Sequence, residues 1–239
     1  MFGFLQNIIN AILPPRCLRC GKILHEENGL CGDCFASIRF IGSPHCLHCG
    51  TPLPVGENAQ GCPICLNGEL DCFRLMRSRV YYDENSKPLI TNFKFRDKTE
   101  NALFLSRWLY TAGHDIWEQG ADILVPVPLH LSRLRQRKYN QSALLCSKLS
   151  RLIGIPVNYT GLKRHKKTRP QVECTGSDRK RNVKKAFSIS PSDSFKGQRV
   201  VLIDDVMTTG STLKECALTL LADGAKSVDA LTVARVVKD

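Results

Sequence analysis

Val200–Thr212 reads VVLIDDVMTTGST. Four apolar residues lead directly into two adjacent carboxylates, and a hydroxyl-rich loop with a single glycine follows. The pattern predicts a buried strand that ends near Ile203 and a helix that begins near Ser211 or Thr212. Between them, Thr208, Thr209, Gly210, Ser211 and Thr212 supply hydroxyl groups, a flexible backbone and the amides of a helix N-terminus. With Met207 leading in, this is a compact site for a phosphate. Asp204 and Asp205, at the predicted strand end, can accept hydrogen bonds from a vicinal diol or bind Mg²⁺. A diol beside a phosphate describes a ribose 5-phosphate. Other phosphate motifs are absent: the chain contains neither GxxxxGK[ST] nor GxGxxG.

Working outward from this stretch, strand and helix patterns alternate from residue 73 onward. Arg79–Tyr82, Asp122–Val127, Ile155–Tyr159, Arg199–Ile203 and Ser227–Val237 read as strands. Ala102, Leu105, Leu109, Ala112 and Ile116 trace one helix face; Leu145, Leu149 and Leu152 mark another. Leu213, Ala217, Leu220 and Leu221 mark a third, closed by Gly224. This alternation predicts an α/β fold with a mostly parallel sheet flanked by helices, whose ligands sit beyond the carboxyl ends of the strands.

Residues 1–72 have a different character. Eight of the twelve cysteines form four CxxC pairs: Cys17/Cys20, Cys31/Cys34, Cys46/Cys49 and Cys62/Cys65. The intervening gaps are ten, eleven and twelve residues. Two such pairs across a short hairpin supply four thiolates for one tetrahedral Zn²⁺, so the segment accommodates two structural zinc ions. Sequential and interleaved pairings both satisfy the ligand count. His25, His45, His48 and Cys72 lie near enough to compete, but the CxxC set is already complete. The segment is too small to bury a core without metal, so the zinc supports folding. Cys146 and Cys216 fall in helical patterns and read as small buried hydrophobes. Two domains follow: 1–72, an N-terminal helix plus a zinc module, and 73–239, the α/β domain.

The formal net charge is +12, and the protein stays basic even with eight thiolates holding two zinc ions. Ile123–Val172 contains eleven Lys and Arg and no Asp or Glu, and Lys163–Lys185 holds ten basic residues against Glu173 and Asp178. Such segregation around a phosphate site points to an anionic partner. The opening MFGFLQNIINAILPP lacks a basic n-region and a cleavage site, and Phe2, Leu5, Ile9 and Ile12 repeat at helical spacing. It reads as a short amphipathic helix stopped at Pro14, with no membrane span and a cytoplasmic location expected.

VVLIDDVMTTGST resembles the thirteen-residue phosphoribosyl-pyrophosphate (PRPP) motif of type I phosphoribosyltransferases. The whole chain resembles the ComF family (competence protein F, GntX-like), which joins a double zinc ribbon to such a domain. LPPRCLRCG at Leu13–Gly21, FKF at Phe93–Phe95, VPVPLH at Val125–His130 and YNQ at Tyr139–Gln141 carry the resemblance. So does the spaced set Arg164, Thr168, Gln171, Arg179, Asn182, Val183, Ala186 and Phe187. Lys138, where relatives often have Gly, and Cys174, where they often have Leu, depart from it. The resemblance implies that Asp204 and Asp205 contact ribose hydroxyls and that Met207–Thr212 hold the 5-phosphate. It places pyrophosphate near Arg133, Arg137 and Lys138, with Mg²⁺ accompanying PRPP, and makes Lys163–Lys185 a basic loop. It further implies natural transformation or DNA utilisation, acting on imported single-stranded DNA, by phosphoribosyl transfer to an unnamed acceptor. The alternative is a non-catalytic single-stranded-DNA or nucleotide-binding adaptor that docks a competence helicase or translocase.

Overall fold

The computed structural model describes residues 14–25, 29–54, 62–95, 101–130, 132, 134–135, 139–165 and 186–237. The helix expected before Pro14, the pyrophosphate candidates Arg133, Arg137 and Lys138, and the basic residues from Lys166 to Lys185 lie outside the described residues. Short helices α1 (Gly32–Ala36) and α2 (Pro63–Leu66) belong to the cysteine-rich segment. Then come β1 (Met76–Tyr81), α3 (Lys87–Phe95), α4 (Asn101–Ala112), α5 (His114–Glu118) and β2 (Ile123–Pro126). After them follow α6 (Gln141–Ile153), β3 (Leu162–Arg164), β4 (Phe187–Ile189), β5 (Arg199–Met207), α7 (Ser211–Ala222) and β6 (Ser227–Arg235).

The main sheet has the order β1-β6-β5-β2, and every pairing in it is parallel. A separate antiparallel ribbon pairs β3 with β4. The near-continuous apolar runs of β5 and β6 suit strands covered on both faces. On one face Val201, Ile203, Leu231 and Val233 pack with α4 and α6 through Leu105, Leu109, Leu145 and Leu149. On the other, Val200, Leu202 and Ala230 share a core with Leu213, Cys216 and Leu220 of α7. Cys146 and Cys216 are fully buried, as their helical positions predict, and burial pushes both thiols well above their usual range.

Several boundaries differ from the sequence expectation. β1 starts at Met76 rather than Arg79, because Met76, Arg77 and Ser78 pair with Ala230, Leu231 and Thr232. Arg77 hides this: it is buried, with its Nε donating to Asp115 Oδ2 at 2.8 Å and its Nη2 to the Leu47 carbonyl at 2.7 Å. The helix face traced through Ile116 is split at Gly113, the N-cap of α5. A Cβ there would come within 2.6 Å of the Trp117 ring, so glycine allows the indole to fold back over the break. Finally, Ile155–Tyr159 forms only a single parallel bridge, Val157 to Leu124. Pro156 has no N–H to extend a ladder, and Asn158 turns the chain by accepting the Thr160 and Gly161 amides at 3.1 and 2.7 Å.

Candidate functional site

The strand that opens the argument does not end at Ile203. β5 runs on to Met207, with Asp204 opposite Thr232, Val206 opposite Ala234 and Met207 opposite Arg235 of β6. The acid pair therefore sits inside the parallel strand and not in a loop, because β6 pairs with three further residues, Asp204, Val206 and Met207. Asp204 is half-buried. Its Oδ1 accepts the Ser142 hydroxyl at 2.9 Å and the Asp205 amide at 2.9 Å. Ser142 is held in turn by Asn140, whose side chain caps α6 by accepting the Ser142 amide at 3.0 Å and donates to the Val127 carbonyl at 3.1 Å. The Tyr139-Asn140-Gln141 stretch thus ties the helix start to the acid.

Beyond Met207 the chain turns within three residues into α7. Gly210 makes the turn at φ 72°, a left-handed backbone in which a side chain is strained, and its carbonyl accepts the Lys214 amide at 2.8 Å to begin the helical ladder. Thr209 Oγ1 and Ser211 Oγ lie 2.8 Å apart across the turn. A shallow cleft of about 20 Å³ is lined by Asp204, Met207, Thr208, Gly210, Ser211 and Thr212, among others. That volume holds about one water-sized group. Asp205 is buried, at 7% exposure, and is not among the lining side chains. Asp204 and the hydroxyl loop are thus brought together, whereas Asp205 is set back from them.

The cysteines converge as two groups. Cys17, Cys20, Cys31 and Cys34 form one and Cys46, Cys49, Cys62 and Cys65 the other, with the Sγ atoms of each group within 4.8 Å of one another. The pairing is sequential. Each group fits Zn²⁺ on its acid–base chemistry as well as its geometry. Burial opposes ionisation of Cys46, but the amides of Cys49 and His48 bring its thiol down to about 6. The Cys20, Cys31 and Arg19 amides likewise outweigh burial at Cys17, also at about 6. By contrast, burial and the surrounding sulfurs push Cys34 up to about 12 and Cys65 far above its usual range. Four crowded thiols cannot all ionise without a cation between them, and a divalent metal is that cation. None of His25, His45, His48 or Cys72 enters either group. His48 instead bridges outward, Nδ1 3.2 Å from Cys65 Sγ and Nε2 2.8 Å from the Phe73 carbonyl.

The second cysteine group is built into the α/β core. Cys46, Cys49 and Cys62 share a core cluster with Leu70, Phe73, Met207 and α7. Arg235, at the end of β6, is buried and donates to the Cys49 carbonyl and to Thr51 Oγ1, each at 2.7 Å. Thr51 Oγ1 lies 3.0 Å from Cys49 Sγ. One residue on, the Val236 amide donates to the Met207 carbonyl at 2.8 Å. Leu70 and Met207 both lie in ordinary contact distance of the Gly210 Cβ position, at 3.7 and 3.8 Å. Sequence reasoning missed Ser142, Thr51 and Arg235. The only signal for Arg235 is a charge that directly follows the apolar pair Val233-Ala234 at the end of a strand.

A double zinc ribbon domain matches residues 8–66 and a phosphoribosyl transferase domain matches residues 140–238. Competence protein F of Haemophilus influenzae is 37% identical over 226 residues, covering 92% of this chain and 96% of that protein. DNA utilization protein YhgH of Escherichia coli is 34% identical over 228 residues, covering 93% and 98%. Competence protein ComFC of Bacillus subtilis is 29% identical over 217 residues, covering 89% and 87%. The parallel sheet with its flanking helices is that of the type I phosphoribosyltransferase fold, and the cysteine groups are those of a double zinc ribbon. Among the described residues, no helix is long and apolar enough to cross a membrane.

Proposed function

We propose that this chain, which belongs to the competence protein F family, binds PRPP or a related phosphoribosyl ligand with Mg²⁺ and acts in the cytoplasm on imported single-stranded DNA. The observation that carries this reading is a single cleft at the carboxyl end of a parallel sheet, where Asp204 and the Thr208–Thr212 loop meet. In this reading the loop hydroxyls and the α7 amides hold the 5-phosphate. Asp204, steadied by Ser142, accepts hydrogen bonds from the ribose hydroxyls. Arg133, Arg137 and Lys138 take the pyrophosphate end. Mg²⁺, bound through ligand oxygens as is usual for this ion, would neutralise the phosphates. In phosphoribosyl transfer the bond from C1 to pyrophosphate breaks, and the role left to these side chains is to orient the sugar and hold the departing charge.

A second reading, binding without turnover, is favoured by one observation: Asp205 is buried away from the cleft, leaving a single acid at its wall. In that reading the protein is an adaptor for single-stranded DNA or nucleotide that docks competence translocation proteins. Isothermal titration of the zinc-loaded chain with PRPP, with and without Mg²⁺ and single-stranded DNA, tests both. Mg²⁺-dependent binding that weakens at least about tenfold in Asp204→Asn supports a phosphoribosyl site. Absence of PRPP binding in folded, zinc-loaded protein overturns it. Release of pyrophosphate when DNA is added separates turnover from binding alone.

A further inference from the structure

A cleft larger than the one at the loop lies away from it, on the outer edge of the sheet. β1 is an edge strand, and the zinc-ribbon segment is fastened along its open side. The Met76 amide donates to the His48 carbonyl at 2.9 Å, the Ile41 amide to the Arg79 carbonyl at 2.9 Å, and the Tyr81 amide to the Arg39 carbonyl at 3.0 Å. Between these fastenings, the end of α4 and the start of α5 stand off from the strand and leave a cleft of about 290 Å³. His45, Arg79, Thr111 and His114 line it together with the Arg77–Asp115 ion pair.

The charges in this cleft do not cancel. Asp115 is taken up by the buried Arg77, which it meets through both Nε and Nη2. Glu118, outside the lining, pairs with His114 Nδ1 at 3.4 Å. Arg79 has no such partner among the described residues: its Nε is buried without an acceptor, and burial weakens its hold on its proton. The guanidinium face lies over the Phe40 ring at 4.8 Å. A ring beneath the face stabilises the cation but accepts none of the N–H groups, which point outward in the guanidinium plane. A planar donor edge backed by an aromatic ring is matched by two oxygens of one oxyanion. The cleft is several times larger than the oxyanion itself, and Ile41 and Ala112 give its wall an apolar part.

We propose that this cleft is a second ligand site, separate from the Thr208–Thr212 loop, which takes the phosphate of a nucleotide-sized phosphate ester on the edge of the Arg79 guanidinium. His45, Thr111 and His114 add donors around the same group, and the sugar lies against Ile41 and Ala112. A free nucleotide and a nucleotide unit of single-stranded DNA present this same chemistry. The proposal does not depend on the loop binding PRPP.

The test uses the full, zinc-loaded chain and reads the side-chain NMR signals of Arg79 Nε–H, His45 and His114 as dAMP, deoxyadenosine or an oligothymidylate is added. These signals report the cleft and not the loop. The expected result is a shift of all three with dAMP or the oligonucleotide and none with deoxyadenosine, with an apparent Kd about tenfold weaker in Arg79→Gln. Thr111→Glu, on the exposed end of α4, places a carboxylate at the mouth and gives the same loss if Arg79→Gln does not fold. A response to dAMP alone assigns the site to free nucleotides, and a response to the oligonucleotide alone assigns it to the DNA backbone. Signals that do not move with any phosphate ester, or histidine shifts that persist unchanged in both variants, overturn the proposal.

Discussion

The two zinc-ribbon sites share a ligand set and differ in what surrounds them. Around the first, Cys17, Cys31 and Cys34 form a small cluster of their own with Leu24 and Leu30, and Cys20 is exposed. Around the second, Cys46, Cys49 and Cys62 belong to the same core as α7, Met207 and the inner face of the sheet. Identical CxxC spacing therefore serves two purposes. The first site keeps its sulfurs in a cluster apart, while Leu18 and Ile38 beside it pack on the opposite face of the sheet. The second is a piece of the α/β core whose filling includes sulfur and metal, and it packs behind the Thr208–Thr212 loop through Leu70 and Met207.

The sharpest way to break this contrast is to remove one ligand from each site. Cys46→Ser should abolish zinc at the second site and unfold most of the molecule, since structural zinc contributes on the order of 10 kcal/mol to such modules. Cys17→Ser should cost one zinc equivalent and leave the cooperative unfolding of the α/β core nearly unchanged. Metal content and thermal unfolding of the two variants check this, and equal losses would show that both sites are part of one core.

A smaller effect is expected at Arg235. Arg235→Ala strips donors from the Cys49 carbonyl and the Thr51 hydroxyl in a buried setting. It should cost about 2–4 kcal/mol and speed zinc transfer to a chelator from one site only. Biphasic zinc release, with just one phase accelerated, is the expected trace. Smaller still is Gly210→Ala. Leu70 and Met207 leave room for the methyl group, so the cost is the left-handed backbone alone, about 1 kcal/mol by chemical denaturation. Zinc release from both sites should stay as in the parent chain.

Much of this was legible in the residues. Ligand spacing announced the cysteine groups because thiolate–zinc geometry is local, and apolar runs announced β5 and β6 because both their faces are buried. The sequential pairing was not legible, since both pairings satisfy the same spacing. Arg77 and Arg235 were missed as interior residues because a charge reads as solvent-facing until its partners, Asp115, the Leu47 carbonyl and the Cys49 carbonyl, are seen. Asp204 and Asp205 were misplaced for a related reason. Two carboxylates look like the end of a strand, and only the continued pairing with Thr232 and Ala234 shows that the ladder carries them. The edge cleft joins residues from three distant segments, so no local pattern could reveal it.

That ladder has a kinetic and entropic consequence. A carboxylate on a loop loses backbone freedom when it meets a ligand, at roughly 1–2 kcal/mol per residue fixed. Asp204 has no such loss to make. Its backbone is set between neighbouring strands and its side chain is held by Ser142, so folding has already placed the acid before any ligand arrives.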